Sequence, residues 1–297
     1  MLIRRLCKST VHCAQLVLAA LLVACGSGSN ESPDAAPSPT EAPTAAPGAD
    51  GQAEAPQARA VISERLPYME LEDRLVYGHF VFPSDMVEPL PAVVLVHEWW
   101  GLNDTVKQVA DELAAEGYIV FAVDLFSGET TESPAKARTL ASIVIEDPEA
   151  AIANVRAAYD MVIDTAGAPR VGIVGWGLGG GLSLDAAATF GDDIDAVVNY
   201  YGQVDTDEDA LRPITAPLLG HYGAEDKRVS KDTLKAFEES LMRLRKNYEI
   251  KTYPAAGSSF ANPTSNSYNR AAATSAWQET LKFLDLHLSV AAVEDVS

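Results

Sequence analysis

Apolar residues along this chain fall into short unbroken runs, separated by stretches with helical spacing. Ala92 to Val96 is continuously apolar, as expected of a strand covered on both faces. Tyr118 to Val123, Val171 to Val174, Ile194 to Tyr201 and Ala216 to His221 read the same way, and Glu249 to Tyr253 adds a further strand. Leu75 to Phe82 instead alternates about Tyr77, His79 and Val81, which predicts an antiparallel strand at a sheet edge. Val106, Val109, Ala110 and Leu113 share one helical face within Asp104 to Glu116, and Gly117 supplies the stop. Pro148 opens a second helix through Met161, a position where its missing N–H costs nothing. Further helices are predicted over Leu178 to Thr189, over Ser230 to Lys246 and from about Tyr268 to Leu288.

Strand and helix thus alternate five or more times with short connections. The fold class is α/β, a doubly wound and mostly parallel sheet with helices on both faces. No repeat or second composition boundary divides residues 61–297, so they are read as one domain. Ligands of such sheets bind beyond the carboxyl ends of the strands. The residues to inspect are therefore His97 to Trp100, Asp124, Gly175 to Gly180, Tyr200, Tyr201, Asp226 and the loop from Ala255 to Asn266.

Composition changes the picture at the amino-terminal end. Residues 1–24 carry Arg4, Arg5 and Lys8, no acid, and an apolar run from Ala14 to Ala24. That run is too short to span a bilayer and has the form of a secretion signal. Leu22-Val23-Ala24-Cys25 resembles a bacterial lipobox, in which Cys25 becomes the lipid-bearing first residue; the alternative is an ordinary cleaved signal. Residues 26–60 hold six prolines, ten alanines and no aromatic residue, a linker composition. The expected localisation is extracytoplasmic, with the membrane contacted through the lipid anchor at Cys25. The three cysteines, Cys7, Cys13 and Cys25, all precede the domain, which excludes from it a disulfide, a thiolate metal site and a cysteine nucleophile. Of the 297 residues 22 are basic and 42 acidic, a net charge of −20. Such a surface repels phosphate backbones, so nucleic acid is excluded as a partner.

Gly175-Trp176-Gly177-Leu178-Gly179-Gly180 lies between a strand and a helix. It contains G-x-G-x-x-G, but on a late strand of the sheet and with Asn199 and Tyr200 where a ribose-binding acid belongs. It better fits the strand-to-helix turn G-x-nucleophile-x-G. With His97-Glu98-Trp99-Trp100-Gly101-Leu102-Asn103, Asn199-Tyr200-Tyr201-Gly202, Gly223-Ala224-Glu225-Asp226 and Tyr253 through Ala261, this turn makes five segments in fixed order. From about Leu75 to Leu288 the chain resembles the dienelactone hydrolase family of the α/β-hydrolase fold.

That resemblance implies a site with two vacancies. The family's cysteine or serine nucleophile corresponds to Gly177 and its catalytic histidine to Ser258. The acid between them corresponds to Asp226, and the glutamate that contacts the resting nucleophile corresponds to Glu98; both are retained. The amides of Trp99 and Leu178 match the family's oxyanion donors.

The loss also follows from the chain itself. Triad chemistry on this fold needs nucleophile, acid and histidine in that order, and the only histidine after Asp226 is His287, within a terminal helix. Without a triad about 10³–10⁴-fold rate enhancement remains. Ser258 or Ser259 could act as a displaced nucleophile only with a base in reach; His97, the nearest candidate, is expected to point away. His221 is read as packing and His79 as surface or sheet. No histidine spacing fits a metal, and no cofactor is implied. Glu98 and Asp226 could form a carboxylate pair, though retained acids more often hold loops. Trp99, Trp100, Trp176, Leu178, Tyr200 and Tyr201 are expected around one apolar pocket suited to a small acyl or aromatic ligand. Arg138 is a candidate cation there, with a surface helix arginine the plainer reading. The expected function is an exported, lipid-anchored homologue with impaired catalysis. The alternatives are an active ester or lactone hydrolase with displaced residues, and a structural or interaction lipoprotein.

Overall fold

The computed structural model describes residues 59–290. The expected signal peptide (1–24), Cys25, most of the linker (25–60) and residues 291–297 lie outside the described residues.

Eight strands form one sheet: β1 (Val61–Leu71), β2 (Arg74–Pro83), β3 (Ala92–Val96), β4 (Ile119–Ala122), β5 (Val171–Trp176), β6 (Ala196–Tyr200), β7 (Leu218–Gly223) and β8 (Tyr248–Tyr253). Their order is β1-β2-β4-β3-β5-β6-β7-β8. Only β2 runs against the others, pairing antiparallel with both β1 and β4, so the sheet is mostly parallel, as expected. Strands β3, β4 and β6 are buried at every position, which is why they read as unbroken apolar runs.

Helices α1 (Asp104–Ala115) and α7 (Arg270–Leu288) cover one face, where Leu113, Phe283 and Leu284 meet Val93, Leu95 and Val198. Helices α2 (Pro134–Glu146), α3 (Pro148–Asp164), α4 (Leu178–Phe190), α5 (Glu208–Leu211) and α6 (Lys231–Arg243) follow in the chain, and residues of all five join Val94, Val96 and Val197 in the core of the other face. Helix starts are set by side-chain caps. Asn103, Asp147, Ser230 and Asn269 accept from the amides of Val106, Ala150, Thr233 and Ala272. The Asn269 cap fixes the last helix at Arg270, two residues later than the apolar pattern predicts.

The structure corrects the sequence reading at the sheet edge. Leu75 to Phe82 lies one strand inside the edge, and the edge itself is β1, which the pattern does not predict. Most of its side chains face solvent, it contains Pro67, and its register slips between Pro67 and Met69. Glu72 and Asp73, both at positive φ, close the hairpin to β2. Helix α2 is likewise absent from the predicted elements, and it forms a wall of the site described next.

Candidate functional site

Each side chain of the candidate site is placed by the end of a parallel strand. Chain leaving β3 carries Glu98 to Trp100, chain leaving β5 carries Gly177, and β6 delivers Tyr201. Asp226 and Arg228 follow β7, and Ser258 and Ser259 follow β8. The last two loops are stitched together, since the Glu225 amide donates to Ala256 O at 2.8 Å.

The turn from β5 into α4 has φ 54° and ψ −110° at Gly177. The neighbouring glycines exist because backbones approach closely: a Cβ on Gly179 would strike the Val96 and His97 carbonyls, and one on Gly180 the Asn199 side chain. These contacts replace the dinucleotide reading of the motif with a packing role. Gly177 differs. A Cβ there would face open space, with Glu98 Cγ the nearest atom at 3.9 Å. The slot in front of Gly177 is therefore open.

Glu98 stands beside that slot. Its Oε1 accepts from the Tyr201 hydroxyl at 2.8 Å and its Oε2 from the Asn262 amide at 2.9 Å. Burial raises its pKa, against those two hydrogen bonds and the nearby Arg228 charge, which pull it down. Burial and the Glu98 charge drive the Tyr201 phenol well above its ordinary range. Asn262 is thus a site residue that the sequence reading does not single out.

Asp226 holds its own loop. Oδ1 accepts from the amides of Arg228 (2.7 Å) and Val229 (3.2 Å), while Oδ2 is buried with no partner among the described residues. Glu98 and Asp226 do not border a common chamber. Ser258 is engaged by a neighbour absent from the sequence reading: Arg228 donates to its Oγ through Nε at 2.9 Å and also through Nη2. Nη2 lies 3.4 Å from Ser259 Oγ. A guanidinium therefore stands beside Ser258.

The histidines do not replace it. His97 is fully buried, accepting the Leu125 N–H at Nε2 (3.1 Å) and so donating from Nδ1 to Glu98 O (2.6 Å). Burial lowers its pKa, and it points away from the site as expected. His221 sits between Tyr253 Oη and Thr280 Oγ1 (2.9 and 3.0 Å), its pKa lowered to about 3 by burial. His79 is part-buried, 3.4 Å from Asp111, and His287 packs on Phe283. Among the described residues no group of three or more metal-ligating side chains occurs.

The expected single pocket is two chambers that share Glu98 and Tyr201. The larger, about 560 Å³, is bordered by Trp99, Gly177, Leu178, Arg138, Arg228 and Ser259, with α2 along one wall. The smaller, about 50 Å³, is enclosed by Trp100, Trp176, Val106 and Asn262 and has room for a few waters. Tyr200 borders neither; it is buried beneath Trp176, with ring centroids 5.1 Å apart. The other five of the six expected pocket residues therefore divide, Trp99 and Leu178 facing the large chamber, Trp100 and Trp176 the small one, and Tyr201 both. Arg138, on α2, does face the large chamber. Ser258 faces a separate surface recess that Arg228 also borders, and Asp226 borders neither chamber. The amides of Trp99 and Leu178 have no hydrogen-bond acceptor among the described residues.

The model of the dienelactone hydrolase family matches residues 77–288. A Bradyrhizobium sp. protein named a probable 2-oxo-3-(5-oxofuran-2-ylidene)propanoate lactonase is 32% identical over 213 residues, covering 67% of this chain and 85% of its own. The crystal structure of a dienelactone hydrolase-like promiscuous phosphotriesterase from metagenomic libraries aligns with a TM-score of 0.72 at 22% identity, over 77% of this chain and all of its own. That of a dienelactone hydrolase from Anabaena variabilis aligns with a TM-score of 0.56 at 20% identity, over 77% of this chain and 99% of its own. Both structures share the fold. From β2 to the end of α7, this chain belongs to the dienelactone hydrolase family.

Proposed function

We propose that this protein is an exported, lipid-anchored member of the family that has lost acyl transfer and binds a small acyl or aromatic ligand in the chamber over Gly177. One observation supports the reading: the slot at Gly177, which the resemblance assigns to the nucleophile, is open, and no histidine borders either chamber. Ser259 borders the large chamber but has an arginine, not a base, beside it. Both guanidinium contacts on Ser258 use its oxygen lone pairs. The retained Trp99 and Leu178 amides and the apolar wall of α2 suit binding without turnover. Export and anchoring at Cys25 rest on the basic head, short apolar run and lipobox-like string.

The test is hydrolysis of p-nitrophenyl acetate and of a dienelactone, together with labelling by a fluorophosphonate. The expected rate stays within about 10³–10⁴-fold of the uncatalysed reaction, the level left without a triad, and neither Ser258 nor Ser259 is labelled. Faster turnover that Asp226→Ala abolishes, or labelling of either serine, overturns the reading.

A further inference from the structure

We infer that Glu98 and the open slot at Gly177 form a site for proton transfer at the carbon beside a ligand's carbonyl group, so that the chamber interconverts keto and enol forms. The inference rests on the reading of this chamber as a ligand site. It goes beyond binding, because proton transfer needs neither of the groups that acyl transfer has lost.

Three observations converge. First, a carboxyl group stands at the slot. Glu98 is only 7% exposed, yet it borders both chambers, and its Cγ lies 3.9 Å from where a Cβ on Gly177 would be. Gly177 therefore puts no side chain between that carboxyl and a bound ligand.

Second, the carboxyl is held in place and kept basic. Tyr201 donates to Oε1 at 2.8 Å and Asn262 to Oε2 at 2.9 Å, so donors from two other loops fix both oxygens. Each oxygen keeps a second lone pair able to receive a proton. Burial works against the charged form and raises the pKa, the direction a general base needs to act near neutral pH. The charged and titratable groups sharing the large chamber are Tyr201, Arg138, Asp185 and Arg228, whose charge opposes that rise.

Third, the surroundings suit an enolate. The amides of Trp99 and Leu178 have no hydrogen-bond acceptor among the described residues, and Leu178 opens a helix of 13 residues. The positive end of such a helix favours negative charge developing on an oxygen. Trp99, Val144 and Leu182 line the apolar part of the wall, and a volume of about 560 Å³ is within the range of small-ligand sites. The complementary ligand is a neutral ketone or aldehyde with a compact apolar or aromatic body and a C–H beside its carbonyl.

In the step itself Glu98 takes the proton from that carbon. The C–H electron pair becomes a C=C bond, and the carbonyl π pair moves onto the oxygen beside the two amides. Return of the proton from Glu98 to carbon restores the ketone. Nothing is oxidised or reduced, and no bond to the protein forms.

The test follows phenylacetone in D₂O with the full chain, reading loss of its benzylic proton signal by NMR. General base catalysis supplies roughly 10²–10⁴-fold, so exchange is expected about a hundredfold or more above the buffer rate. That excess rises with pH as Glu98 loses its proton and levels off above its pKa. Glu98→Gln, which keeps the length of the side chain, abolishes the excess, and Glu98→Asp retains part of it. Tyr201→Phe removes a hydrogen bond that lowers the Glu98 pKa, so it moves the profile to higher pH, a shift that a merely structural tyrosine would not give. Exchange at the buffer rate, exchange that survives Glu98→Gln, or a profile unmoved by Tyr201→Phe overturns the inference. Phenylacetone that binds by calorimetry without exchanging overturns it while leaving the ligand site standing. Rapid ester turnover would instead sink the earlier reading and leave proton transfer to be judged on the Glu98 variants.

Discussion

Gly177 occupies a backbone conformation that strains any other residue by about 1–3 kcal/mol. Because a Cβ there meets nothing closer than 3.9 Å, Gly177→Ala should lose only that strain, measured as a fall in urea unfolding free energy. Gly179→Ala should lose far more, since the carbonyls of Val96 and His97 already fill the space. Reactivity is harder to regain than shape. Gly177→Cys alone should leave ester hydrolysis unchanged, because no imidazole stands near to take the thiol proton. Gly177→Cys with Ser258→His and Arg228→Ala should give weak hydrolysis of activated esters. Equal rates in the single and triple variants would contradict this account of the vacancy. That Gly177, Asp226 and Ser258 each follow a parallel strand was legible in the sequence, because each sits in a short string after an apolar run. The roles of Arg228 and Asn262 were not, since they depend on loops meeting across 30 and 164 residues of chain.

At the scale of elements, the parallel strands declared themselves through continuous apolar runs, a direct result of being covered on both faces. Strand β1 had no such signal. It is ordered by contacts distant in sequence: the Tyr68 hydroxyl donates to Asn154 Oδ1 at 2.6 Å and accepts from the Asp124 amide at 3.0 Å, while its ring packs edge-on against Phe121. Tyr68→Phe should therefore destabilise the domain by about 1–3 kcal/mol, because two buried polar groups lose their partner. Hydrogen exchange should quicken first at β1 amides; uniform quickening across the sheet would show that Tyr68 does not act on that strand in particular. Helix α2 was invisible for a different reason. Two of its four buried positions are alanine, Ala137 and Ala141, and its apolar Ile143 and Ile145 face outward.

For the whole molecule, the net charge of −20 makes Arg138 and Arg228 of the chamber a local pair of cations rather than part of a basic surface. The address is tested separately from the pocket. Cys25→Ser should abolish incorporation of labelled palmitate and move the protein from the membrane to the soluble fraction, and palmitate incorporation that persists would refute the anchor. The direction of β1 then acquires a meaning. It runs with the parallel strands, so Val61 begins at the pole of the sheet opposite the chamber, and Leu288, packed beside Gly172, ends near that same pole. The chain preceding residue 60 therefore joins the domain at the pole opposite the chamber, and any tether attached there leaves the opening uncovered at its point of entry.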